Sequence, residues 1–492
     1  MQDIDTDEYR ELPMTDVVLV QPKVGDMDYL RSHPALPLSV LSAANLVSMD
    51  YKVRIIDQRV DKEWCRTLLN ELEKEPLCVG VTTKTGKQIR YALDTAGIVK
   101  KNCDMPVVWG GVHPSLLPQQ TLENGNVDII VRGEGELSFL ELVRHLESGE
   151  SLAGVEGIWY KENEVIHTNE DRPFVDLNAL PELPYQLIDV KKYLPKYMKQ
   201  PTFYMETSRG CPYNCYYCYN QSYHKRTPRY SSAEKTLERV EKAKKDFKVE
   251  NIYFVDDEFF ADLRRAREIG EGLAKLGINW QCQGVTIRSI SRMDDGYLRL
   301  LERSGCKRIT IGIESGSPRI QNILNKNINL DEAVTINKKL SEYNLIVFYS
   351  FIGGFPTETV EELKMTINLM FRLLEDNPHA RTSPIYTFTP FPGTPLFDFA
   401  VKNGFVPPET LEEWCDFEWG LARLSFLSKK MKKLLPAIYL PSGFIDDKFD
   451  EYTVPRTVKA LITLYRPVAR FRTRNLFMKF MFEKWLLKMF QV

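Results

Sequence analysis

Through residues 1–150, short aliphatic runs alternate with longer stretches whose apolar positions recur every three or four residues. The runs are Val17–Val20, Val53–Ile56, Cys78–Val81, Val107–Trp109 and Ile129–Val131. Between them lie Leu36–Met49, Lys62–Lys74, Lys87–Lys101, Ser115–Glu123 and Glu136–Leu146. This alternation predicts an α/β fold, a doubly wound Rossmann-like parallel sheet. Residues 151–200 read as a hairpin, turning at Glu162-Asn163, and a linker punctuated by Pro173, Pro181 and Pro184. Residues 201–400 carry six further runs: Phe203–Met205, Ile252–Val255, Trp280–Val285, Arg308–Ile313, Ile346–Ile352 and Ile385–Phe388. Helical patterns such as Ser232–Phe247, Leu263–Leu276 and Leu330–Tyr343 separate most of them, which predicts a barrel of parallel strands. Residues 401–492 read as a helical C-terminal region.

Ligands on such sheets bind beyond the carboxyl ends of the strands. In the first domain those loops hold Gln21-Pro22, Thr82-Thr83-Lys84-Thr85-Gly86, Gly110-Gly111-Val112-His113-Pro114 and Arg132-Gly133-Glu134-Gly135-Glu136. No G-x-G-x-x-G follows the first strand, which disfavours a dinucleotide. In the barrel the strand ends carry Asp256-Asp257-Glu258, Arg288, Glu314-Ser315, Gly353-Gly354 and Thr389–Pro395.

The first barrel strand leads into Cys211-Pro-Tyr-Asn-Cys215-Tyr-Tyr-Cys218. Three soft thiolates at C-x₃-C-x₂-C spacing suit an iron–sulfur cluster and leave one iron of a cubane without a protein ligand. A disulfide would strand the third cysteine, and zinc usually takes four ligands from paired C-x₂-C units. A net charge of −2 gives no case for a nucleic-acid partner. Nine cysteines and an acidic, polar N-terminus without a secretory pattern point to a reducing, cytoplasmic setting.

The cysteine spacing and the flanking Tyr216, Tyr217 and Tyr219 resemble the radical S-adenosylmethionine (radical SAM) superfamily, and six strand–helix units match its partial (β/α)₆ TIM-type barrel. Pro34-Ala-Leu-Pro37, Ile56-Asp57, Gly110-Gly111-x-His113-Pro114 and Arg132–Glu136 resemble the cobalamin (B12)-binding domain upstream of many such barrels. The resemblance implies a [4Fe-4S] cluster on Cys211, Cys215 and Cys218, which share the catalytic role. It implies S-adenosylmethionine among Tyr217, Asp256, Asp257, Arg288, Glu314, Ser315, Gly353 and Gly354. Glu314 would take the ribose or sulfonium side, Arg288 the methionyl carboxylate, Asp256 and Asp257 the amino group, and Gly353-Gly354 the adenine.

It further implies cobalamin among Gln21, Pro22, Thr82, Thr83, Thr85, Gly110, Gly111, His113, Gly133, Glu134, Gly135 and Glu136. The D-x-H-x-x-G motif that supplies an axial histidine is absent, so the expected cobalamin is base-off, with His113 packing its loop. The implied reaction is reductive cleavage of S-adenosylmethionine to a 5′-deoxyadenosyl radical and methylation of an unactivated carbon via methylcobalamin. Ring formation, oxidation or carbon–carbon coupling, as in the anaerobic porphyrin cyclase branch, uses the same parts. A non-catalytic corrinoid- or cluster-carrying protein is the reading of another class. A reducing partner such as flavodoxin or ferredoxin and a small-molecule or hydrophobic substrate are expected.

The C-terminal region changes one expectation. Trp414, Phe417 and Trp419 form an aromatic group expected to pack on the barrel. The final stretch carries Phe477, Phe480, Phe482, Trp485 and Phe490, interrupted by Lys479, Lys484 and Lys488 and preceded by Arg466, Arg470, Arg472 and Arg474. It is too interrupted to span a bilayer. It reads as a buried closing helix or as a peripheral contact with the inner face of a membrane.

Overall fold

The structure is a computed structural model that describes residues 15–25, 28, 33–417, 424–452 and 455–479. The first sheet has the order β2-β1-β3-β4-β5-β6-β7. Its strands are β1 (Val17–Gln21), β2 (Val53–Asp57), β3 (Cys78–Thr82), β4 (Val107–Gly110), β5 (Ile129–Val131), β6 (Ile158–Glu162) and β7 (Val165–Thr168). The first five pair in parallel. All five residues of β1 are buried, because helices cover both faces and a continuous apolar run is needed. Order reverses between β1 and β3, which opens a crevice at their carboxyl ends.

Two expectations need correction. The hairpin at 151–200 is not outside the first domain: β6 and β7 add antiparallel to β5, satisfying its free edge. The helix expected over Ser115–Glu123 is two short ones, Val112–Leu116 and Pro118–Leu122, broken at Leu117 because Pro118 cannot donate to the preceding turn.

The second sheet is curled. Its parallel strands are β9 (Gln200–Met205), β12 (Asn251–Phe254), β13 (Asn279–Val285), β14 (Cys306–Glu314), β15 (Ile346–Gly353) and β16 (Ala380–Thr387). A short β8 (Lys196–Tyr197) runs antiparallel to β9, and β10 (Ser208–Arg209) pairs with β11 (Arg229–Tyr230). β16 does not close onto β9, so the barrel is partial. β16 begins five residues before the expected run, because Pro384 is tolerated on an edge strand. That edge is capped by side chains: the Thr382 N–H donates to Asp446 Oδ2 (2.7 Å) and the Ile385 N–H to Ser442 Oγ (3.0 Å).

The helices Lys429–Gly443 and Arg456–Asn475 bury Leu435, Ile438, Ile462 and Ala469 in the barrel's core. Arg472, which would lie near headgroups if this region met a membrane, is buried. Arg466 pairs with Asp447, and Arg470 and Arg474 with Glu375. Trp419, Phe480, Phe482, Lys484, Trp485, Lys488 and Phe490 lie outside the described residues. Trp414 and Phe417 pack on the first domain rather than on the barrel, in one core with Val20, Val81 and Trp109. The Trp414 indole N–H donates to Gln120 (2.6 Å).

Candidate functional site

The cysteine loop is held by the end of the neighbouring strand. Past β9 the chain bends through Thr207 and Ser208, and Asp256 accepts from the Thr207 N–H (2.6 Å), Thr207 Oγ1 (2.6 Å) and Ser208 Oγ (2.8 Å). Arg265 donates to the Thr207 carbonyl (2.9 Å). Asp257 Oδ2 accepts the Gly210 N–H (2.8 Å). Gly210 is left-handed (φ +81), and a Cβ there would lie 2.3 Å from the Thr227 carbonyl oxygen.

The three cysteines are half-buried. Burial pushes the Cys211 thiol up, with the other two thiols adding to it, and pushes Cys218 up to about 11. Among the described residues no group of three side chains converges on one metal ion. Three soft thiolates on one short loop are donors of the kind an iron–sulfur cluster takes.

Beside them lies a buried triad. Lys326 Nζ donates to Glu314 Oε1 (2.6 Å) and to the Tyr217 hydroxyl (2.9 Å), and that hydroxyl donates to Glu314 Oε1 (3.0 Å). Glu314 ends β14 in a left-handed conformation (φ +69), which an L side chain keeps only where its surroundings over-determine it. Glu258 is also buried. Burial pushes it up to about 8, Ser289 donates to its Oε1 (3.0 Å), and its Oε2 has no partner among the described residues.

Several expected site residues are placed otherwise. Asp256 and Asp257 spend their carboxylates on the loop itself. Ser315 is fully buried; its hydroxyl accepts the Ser317 N–H (3.2 Å) and meets Thr366 Oγ1 (3.3 Å). Gly353 and Gly354 face apolar side chains: a Cβ on Gly354 would lie 2.5 Å from Leu435 Cδ1. Arg288, by contrast, stays beside the cysteine loop: it is half-buried, donates to the Asn327 carbonyl (3.2 Å) and lies over the Tyr213 ring.

A cavity of about 330 Å³ lies between the two domains. From the first domain, Ser39, Ser42, Thr82, Gly110, Gly111, Gly133, Glu134, Gly135 and Glu136 line it; from the barrel side come Glu206, Arg209, Tyr219, Tyr223 and His224. Gln21, Pro22, Thr83, Thr85 and His113 do not line it. His113 is fully buried, meets Thr85 Oγ1 through Nδ1 (3.0 Å) and sits edge-on to Trp414. Burial lowers it to about 3. Glu134 and Glu136 are engaged: Arg209 bonds Glu134 (3.1 Å), Glu136 (2.7 Å) and Glu206 (2.7 Å), and Arg229 bonds Glu134 (2.6 Å). The Tyr223 hydroxyl donates to the Gly133 carbonyl (2.7 Å).

Residues 32–143 match the B12 binding domain, and residues 205–370 the radical SAM superfamily. The chain belongs to the B12-binding radical SAM family. Across 443 residues it is 29% identical to the uncharacterized methyltransferase PH0819 of Pyrococcus horikoshii, covering 87% of this chain and 94% of that one. Two solved structures share the fold. The cobalamin-dependent S-adenosylmethionine radical enzyme OxsB, with aqua-cobalamin and S-adenosylmethionine bound, is 20% identical with a TM-score of 0.72, over 94% of this chain and 72% of that one. The radical S-adenosylmethionine methyltransferase TsrM from Kitasatospora setae, with cobalamin and a [4Fe-4S] cluster bound, is 17% identical with a TM-score of 0.65, over 82% and 81%.

The family's cofactors are a [4Fe-4S] cluster, S-adenosylmethionine and cobalamin. The residues fit them. The thiol trio suits the cluster, and glycines line the interdomain cavity, where a Cβ on Gly133 would meet nothing within 4 Å. Sequence reasoning missed Lys326, Arg209 and Tyr223, and placed Glu258 at a strand end without giving it a role. Arg209 had a signal in its place just before Gly210-Cys211; a lone lysine in Asn325-Lys326-Asn327 had none.

Proposed function

We propose that the protein is a cobalamin-dependent radical SAM methyltransferase that acts on an unactivated carbon of a small or hydrophobic substrate. The observation that carries this is the interdomain cavity: glycine-rich loops of the B12 domain face Arg209, Tyr219, Tyr223 and His224, which flank the cysteine loop. That arrangement brings the corrinoid and cluster sites next to each other. When bound, the cofactors supply reductive cleavage of S-adenosylmethionine and methyl transfer. The chain's own residues hold and orient them. Cys211, Cys215 and Cys218 ligate the cluster. Glu314 and Tyr217 present acceptors and a hydroxyl to the ribose side of S-adenosylmethionine, and Arg288 offers its fork to the methionyl carboxylate. His113, closed in against Trp414 and outside the cavity, would give cobalt no ligand, which supports the base-off reading. A low-potential protein of the flavodoxin or ferredoxin class supplies electrons.

Anaerobically reconstituted protein with reductant should form both S-adenosylhomocysteine and 5′-deoxyadenosine when given substrate. Cys→Ala changes at 211, 215 or 218 should abolish the second product. 5′-Deoxyadenosine without S-adenosylhomocysteine would point to ring formation or oxidation instead. Electron paramagnetic resonance of the Co(II) form should lack nitrogen splitting; a three-line splitting would overturn the base-off assignment.

No described helix is long and apolar enough to cross a membrane. Peripheral contact is part of the proposal, supported by Leu464, Phe471 and Phe477 standing exposed near the end of the described chain. Co-sedimentation with anionic vesicles that fades with salt would support it; no binding at low salt would remove it.

A further inference from the structure

Lys326 is the buried cation that the proposed chemistry leaves unexplained. Its side chain is 8% exposed, yet it keeps its charge. Burial opposes the ammonium, while Glu314, 2.6 Å away, holds it above its ordinary value. Its Nζ donates to the hydroxyl of Tyr217 (2.9 Å), a residue that lies between Cys215 and Cys218 in the cysteine loop.

The position is constructed. Lys326 stands between Asn325 (φ +49) and Asn327 (φ +51), two left-handed residues that turn the chain sharply on either side. The segment is bolted to the cysteine loop: Asn325 Nδ2 donates to the Asn214 carbonyl (2.8 Å), and the Tyr216 N–H to the Leu324 carbonyl (2.9 Å). β14 makes room for the ammonium, since a Cβ on Gly312 would lie 2.6 Å from Lys326 Nζ and 2.3 Å from Glu314 Oε1.

We infer that Lys326 is a positioning residue that serves as the counter-cation of the cluster site, its ammonium balancing Glu314 and the cysteine thiolates and thereby setting how readily the cluster takes an electron. A cluster gains one negative charge on reduction, and a fixed cation in a poorly solvated site favours that state. Glu314 acts with opposite sign at nearly the same place. The inference rests on the cluster assignment above.

The test is anaerobic spectroelectrochemistry of reconstituted, S-adenosylmethionine-free protein, with iron content measured alongside. Lys326→Gln removes the charge and keeps a hydrogen-bonding side chain; it should shift the cluster's midpoint to a more negative potential. Lys326→Arg should stay near wild type. Glu314→Gln should shift it to a more positive potential, and the double Lys326→Gln/Glu314→Gln variant should return close to wild type. A purely structural role would move the two single variants in the same direction. Equal potentials in all loaded variants, or shifts of one sign, would overturn the inference. If Lys326→Gln fails to load iron, Glu314→Gln against the double variant carries the same test of sign. Failure of wild-type protein to take up iron would instead overturn the cluster assignment.

Discussion

The strand ends of the two sheets are built on different terms. In the B12 domain, Thr82, Gly110, Gly111 and Gly133 leave their loops open onto a cavity. In the barrel, Asp256 and Asp257 turn onto backbone N–H groups of the neighbouring cysteine loop, and Glu358 onto one of its own loop. One sheet reserves its ends for a large ligand approached by backbone; the other uses acidic residues to stiffen the loops that hold a cluster. The difference teaches that an acidic residue at a barrel strand end can be scaffold rather than ligand. Glu314 is the contrasting case, because it pairs with a side-chain cation instead.

The two regions meet at Arg209, so the sharpest way to break the contrast is there. Arg209→Met leaves Glu136, 1% exposed, without its cation, and Glu134, 6% exposed, with Arg229 alone. Breaking a buried pair costs about 3–5 kcal/mol, which chemical denaturation should show. The same change at Arg90, paired with Asp416 at the surface, should cost at most about 1 kcal/mol. Equal losses would mean that the interdomain network holds nothing.

On the barrel side, Asp256→Asn sets an amide against donors that now point at a carboxylate. About 3 kcal/mol of stability should be lost, together with iron uptake. Full iron uptake would show that Asp256 does not shape the cysteine loop.

On the B12 side, His113 makes stability pH-dependent. Its folded value, about 3, lies below its ordinary 6.5. Between these the unfolded chain binds a proton that the folded chain refuses, so stability falls as pH drops below about 6.5, by about 1.4 kcal/mol per unit. From pH 6.5 to 5 the loss should approach 2 kcal/mol, and His113→Gln should flatten that slope. An unchanged slope would move the acid sensitivity elsewhere. The smallest effect is at the barrel edge, where Ser442→Ala orphans the buried Ile385 N–H and should cost about 1 kcal/mol in the same denaturation measurement.

Most strands and helices were legible because period-two and period-3.6 patterns are local. β1 to β5 start where their apolar runs start, and Leu263–Leu276 matches residue for residue. Local punctuation misled at Pro384, which hid the first half of β16, while the hairpin was legible as a hairpin but not its pairing with β5. The cysteine trio was legible for the same reason as the strands, since three ligands within eight residues form one local object.

What the sequence determined by itself is therefore the element order, the two α/β units and the cluster loop, all set by neighbours a few residues apart. Tertiary structure alone decided which polar residues are spoken for. Asp256 meets its partners 48 and 49 residues away, Trp414 finds Gln120 across 294, and Arg209 reaches Glu136 across 73. A carboxylate at a strand end looks the same in sequence whether it awaits a ligand or has already found a backbone N–H. Only packing, which brings a distant donor within 3 Å and excludes water from the pair, settles which it is.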